Sequence, residues 1–99
     1  MSILLLRLCM NFEWDEKKRE ANLAKHGVDF IDILPLLEGA PLRLLDERQV
    51  YGETRLNCLG EIEGRLFVVT YTWRGKDRRI ISARRANERE KRKYYARLD

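Results

Sequence analysis

The stretch Arg65–Glu90, "RLFVVTYTWRGKDRRIISARRANERE", decides the fold. Its first nine residues are β-branched or aromatic at nearly every position, the composition of a central strand. "RGKD" around Gly75 is a tight turn. Arg78–Arg84 reads as a second strand, with Ile80 and Ile81 at its centre. Asn87 followed by Glu90 three residues later is a capping box, so a helix begins there and runs on through "EREKRKYYAR". Strand, turn, strand, capped helix is a compact unit. Its oddity is charge: arginines crowd a segment where a small domain should be building its core.

Working outward, "GEIEG" (Gly60–Gly64) reads as a turn, preceded by a strand over Glu53–Leu59 and another over Leu42–Asp46. Upstream lie two helices. Asp15 is the N-cap of the first, Glu16–His26, and Gly27 closes it. Asp29 caps the second, in which Phe30, Ile33, Leu34 and Leu37 follow the i, i+3, i+4, i+7 rule. Pro35 inside it should bend it or end it early. Asn11–Trp14 suits a short leading strand. The order is β-α-α-β-β-β-β-α. Consecutive strands with short turns predict an α+β fold: a small antiparallel four-stranded sheet packed against two N-terminal helices, with a C-terminal helix.

Ninety-nine residues make one domain. An apolar fraction of 44% excludes disorder for most of the chain, although 36% of residues are charged. The net charge of +4 hides an asymmetry. From Arg74 to Arg97 there are eleven Lys/Arg against Asp77, Glu88 and Glu90, whereas residues 1–73 hold nine basic and twelve acidic side chains. A basic C-terminal quarter favours a polyanion or an acidic protein partner. Two isolated cysteines, Cys9 and Cys58, argue for a reduced, cytoplasmic protein. The apolar run in Met1–Cys9 is too short for a membrane span and lacks the features of a signal peptide. It reads as an extension before a single domain over residues 10–99, with Met1 and Met10 as alternative starts.

In a regular strand alternate residues share a face. Arg79, Ile81, Ala83 and Arg85 would then lie on one face, and Ile80, Ser82 and Arg84 on the other. Glu53 and Arg55 share a face of their strand. Such arginines serve equally as anti-aggregation charges on an edge strand or as pre-oriented phosphate grips. On the first helix, Lys18, Asn22 and Lys25 stack on one face. His26, the one histidine, is either a helix cap or an acid–base group. Trp73 and Tyr71 are core residues or base-stacking platforms. Nothing has metal-ligand spacing, so neither metal nor cofactor is expected.

"NFEWDEKKREANLAKHGVDF", "YGETR", "TYTWRG" and "RIISARRANEREKRKYY" together closely resemble the BrnT toxin family, from about Met10 to Tyr95. The combination of "KHGV" and "ISARRA" at this separation carries the resemblance. Where the family usually has an aromatic and an Asp-Pro pair after the second helix, this chain reads "LLEGAP". The resemblance implies a RelE-like fold and a ribonuclease that blocks translation. It implies a BrnA-type antitoxin, a small DNA-binding protein, in a heteromeric complex with two copies of each as one arrangement. Operator DNA would be reached only through that antitoxin. Cleavage by 2′-hydroxyl attack would then draw on His26, Glu53, Arg55, Arg79 and Arg84, with Lys18, Asn22, Lys25, Trp73, Arg74 and Ser82 contacting RNA. Two alternatives remain: a non-catalytic nucleic-acid-binding module, and a co-repressor whose last helix docks an acidic protein.

Overall fold

A computed structural model describes residues 12–38 and 42–96. The chain forms β1 (Phe12–Glu13), α1 (Glu16–His26), a 3-10 turn (Phe30–Ile33), α2 (Leu34–Glu38), β2 (Arg43–Val50), β3 (Glu53–Ile62), β4 (Arg65–Arg74), β5 (Asp77–Arg85) and α3 (Glu88–Ala96). The α+β class is as the sequence predicts. The sheet is not four-stranded and antiparallel, however. It has five strands in the order β1-β5-β4-β3-β2, and β1 pairs parallel to β5, Phe12 with Arg78 and Glu13 with Arg79. A two-residue strand leaves no periodicity from which to read its direction. The segments Met1–Cys9 and "GAP" lie outside the described residues.

The caps act as read. The Asp15 side chain accepts from the Lys17 N–H, and Gly27 takes the left-handed conformation at φ 70°, its N–H reaching Leu23 O. The predicted second helix is divided next to Pro35: Phe30–Ile33 tighten into the 3-10 turn, and Pro35 falls in the first turn of α2, where a backbone N–H has no intrahelical partner. The predicted turn over Gly60–Gly64 shrinks to Glu63–Gly64, and β3 continues to Ile62. Gly60 faces α2 there: a Cβ on it would stand 2.6 Å from Leu36 Cδ2, so glycine is what lets the helix approach.

Both sheet faces bury apolar side chains. On one, Phe30, Ile33, Leu36 and Leu37 pack on Val69, Ile80 and Ala83. On the other, Ala86 and Tyr94 cover Leu59, Leu66 and Val68. Each fully buried aliphatic or aromatic side chain contributes about 1.5–3 kcal/mol. The smaller cluster covers only one end of its face, and the rest of that face is polar.

Candidate active site

Register decides which side chains meet. Directly opposed residues of an antiparallel pair share a face. Val69 opposes Ala83, but Thr70 opposes Ser82 and Tyr71 opposes Ile80, so Ile81 is an extra residue in β5. This β-bulge resets the alternation. Arg79 (opposite Thr72), Ser82 (opposite Thr70) and Arg84 (opposite Val68) all fall on the face away from α1 and α2. The expectation that Arg79 and Arg84 lie on opposite faces is thereby corrected. Arg78 and Arg85 take the helix-covered face, opposite Trp73 and Phe67.

The open face continues across the sheet. Asn57 opposes Thr70, so Arg55 and Glu53, two and four residues earlier in β3, share that face, as expected from sequence. Asp46 and Arg48 extend it onto β2. The floor is a polar ladder: Thr70 Oγ1 donates to Asn57 Oδ1 at 2.5 Å, and Asn57 Nδ2 donates to Asp46 Oδ1 at 2.5 Å. Thr72 is buried and donates to the Thr54 carbonyl.

The arginines here are not bare charges. Arg79 Nη1 donates to Glu13 Oε2 at 2.6 Å, Arg55 Nε to Glu53 Oε2 at 3.0 Å, and Arg84 to both oxygens of Glu90 at 2.9 and 2.7 Å. Side-chain hydrogen bonds from Arg84, opposed by burial, hold the Glu90 carboxyl below the usual carboxylate range, with the Asn87 N–H adding to the effect. The same pairing raises the Arg84 pKa. A guanidinium has five N–H donors. A single carboxylate fixes its orientation and leaves donors free for a second acceptor.

The remaining predicted residues divide. Asn22 is buried, and its amide is spent on backbone: Nδ2 donates to Val28 O and Ala83 O, and Oδ1 accepts from the Ala83 N–H. It clamps α1 to β5 and is unavailable to RNA, which corrects its placement on an exposed face with Lys18 and Lys25. Those two lysines are exposed. His26 lines a cavity of about 500 Å³ on the helix-covered side, with Asp32, Pro35, Arg65, Phe67 and Arg85. It does not join Arg55, Arg79 and Arg84. Trp73 is half exposed at the far end of β4, with exposed Arg74 beside it. Tyr71 is buried in the core.

Sequence reasoning misses Glu13, Asn57 and Thr70. Glu13 meets Arg79 only through the parallel pairing of β1, and Asn57 meets Thr70 only through the β3–β4 register. Glu90 is legible, but only as a helix cap. Among the described residues no group of three or more His, Cys, Asp or Glu is placed to hold a metal ion. None of the helices there is long and apolar enough to cross a membrane.

The family model for the ribonuclease toxin BrnT, of type II toxin–antitoxin systems, matches residues 14–90. The chain belongs to the BrnT toxin family. The match spans β1's last neighbour, all of the sheet beyond it and the first turn of α3, and so includes Arg55, Arg79, Arg84 and Glu90. As a BrnT-family ribonuclease toxin of a type II system, it implies a protein antitoxin as partner. No curated relative matches the sequence significantly.

Proposed function

We propose that this chain is a metal-independent endoribonuclease that cuts RNA on the open face of its sheet and so halts translation in the cytoplasm. The observation that carries this reading is the bulge at Ile81, which turns Arg79, Ser82 and Arg84 to the face bearing Glu53 and Arg55. Metal-free cleavage needs a base for the 2′-hydroxyl and donors for the oxygens of the phosphorane. Glu53 takes the 2′ proton on Oε1, its Oε2 being held by Arg55. Arg79 and Arg84 donate to the non-bridging oxygens, each oriented by its own carboxylate. The 2′ oxygen attacks, the 5′ oxygen leaves and takes a proton from solvent, and a 2′,3′-cyclic phosphate remains. His26, lining a cavity on the helix-covered side, stands outside this machinery.

The partner in this reading is a BrnA-type antitoxin. An acidic segment of it would compete with RNA for Arg55, Arg79 and Arg84. The complex would reach operator DNA through the antitoxin and repress its own operon.

A second reading has an observation in its favour: all three arginines are already ion-paired and the one histidine lies elsewhere, as suits a module that binds RNA without cutting it. One experiment separates the two. Purified chain is incubated with single-stranded RNA in EDTA, and the product ends are mapped, with Arg79→Ala and Arg84→Ala alongside. New ends bearing cyclic phosphate, lost in the variants, are expected. Salt-sensitive binding by folded wild type with no scission would establish the binding module instead.

A further inference from the structure

At the end of the sheet away from α3, a groove of about 590 Å³ is lined by Gly52, Glu53, Thr54, Thr72, Trp73 and Arg74. We infer that this groove is a stacking subsite for one unpaired RNA base, with Trp73 as its platform. The proposal extends the ribonuclease reading, but its binding test does not depend on cleavage.

Trp73 keeps 50% of its surface exposed, whereas Tyr71, two residues earlier on the same face, keeps 6%. Exposure of an indole usually means mobility, but this one is held. Its ring meets Tyr71 edge to face, with centroids 5.9 Å apart and planes at 84°. The Arg78 guanidinium sits over it at 4.9 Å and is itself anchored on the Leu37 carbonyl. An aromatic surface fixed in place and left wet suits a flat ligand.

The lining selects the ligand class. Apart from Trp73 and Leu56 it is polar: two threonines, a carboxylate, a glycine and an arginine. A protein side-chain anchor would call for an apolar pocket. A nucleobase calls for one aromatic face and polar groups around its edge. Arg74 makes no ion pair with a carboxylate among the described residues and stands ready for a phosphate. Trp73 stands on the helix-covered face and Glu53 and Thr72 on the open face, so the groove wraps round this end of the sheet and joins the two. A strand whose phosphate lies on Arg55 and Arg79 would bring a neighbouring base to Trp73.

The test uses a 2′-O-methyl oligoribonucleotide, which binds but is not cut. Wild-type tryptophan fluorescence should be quenched on titration. Trp73→Leu should abolish most of that quenching and weaken binding roughly 5- to 150-fold, the range for one stacked base, while Trp73→Phe restores part of the affinity. On cleavable RNA, Trp73→Leu should redistribute the cut sites. Unchanged affinity in a folded Trp73→Leu protein would overturn the subsite, including where that variant loses a protein partner instead. Wild type that binds and quenches but leaves RNA intact would sink the ribonuclease reading and leave the subsite standing.

Discussion

Glu90 grips Arg84 through both carboxylate oxygens, and one of those oxygens also accepts the N–H of Asn87, whose own side chain accepts the Glu90 N–H. One buried carboxylate therefore starts α3 and aims an arginine of the open sheet face. Glu90→Ala should lower unfolding stability by roughly 1–3 kcal/mol, from the lost cap and the orphaned Arg84 donors. Glu90→Gln keeps an acceptor for the cap but not the charge. It should lose only the charge-dependent part of that stability, stay folded at neutral pH and cleave less, and cleavage equal to wild type would show that Arg84 needs no aiming.

The same carboxyl sets a pH dependence. Its pKa is lower in the folded chain than the unperturbed value of about 4.3, so the unfolded chain binds the proton more readily. The stability it contributes is fully present above about pH 5 and drains away as pH falls through the folded pKa. Urea unfolding of wild type and Glu90→Gln from pH 7 to pH 3 should show curves that converge at the acid end. A gap that does not change with pH would mean that the charge of Glu90 adds nothing to stability.

Deleting Ile81 removes the extra residue of β5. Arg79 and Arg84 then stand four residues apart, so a regular strand keeps both on the open face. The variant should retain strand content by circular dichroism and keep RNA cleavage to within roughly tenfold. Loss of all cleavage by a folded deletion would show that the bulge shapes this face beyond its alternation.

Asn22→Ala takes away both hydrogen bonds that join α1 to β5, and a third to the Val28 carbonyl, and leaves the Ala83 N–H and C=O buried without partners. A loss of roughly 2–4 kcal/mol is expected. Chemical denaturation checks it, and a change under 1 kcal/mol would mean that water replaces the amide.

Gly60→Ala places a methyl group 2.6 Å from Leu36 Cδ2, in a side chain that is 1% exposed. Overpacking of this kind costs about 1–3 kcal/mol. Pairing it with Leu36→Ala should recover part of the loss, because the two changes meet at one point, and strict additivity of the two would rule out that contact.

How much was legible follows from what each signal encodes. Asp15 and Gly27 mark both ends of α1 because caps are local chemistry, and Asn87 with Glu90 marks α3 in the same way. Glu53 and Arg55 share a face because two residues of a regular strand must. The bulge left no trace, since Ile80 and Ile81 are both apolar and satisfy either phase of the alternation. Asn22 looked like part of a polar helix face because its partners, Val28 O and the Ala83 backbone, are invisible to a helical wheel. The ion pairs of Arg79 and Arg84 needed tertiary pairing and a second reading of a cap. The candidate site was thus legible residue by residue, and its assembly was not.

The position of β5 governs the timing of folding. It lies between β1 and β4, and its Ala83 receives α1 through an amide 61 residues earlier in the chain. The first two elements therefore have nothing to dock on until nearly the whole sheet has been synthesised, and the search for that contact closes a long loop. Long-range closure of this kind slows folding. During synthesis α1 waits without its partner strand until β5 has been made.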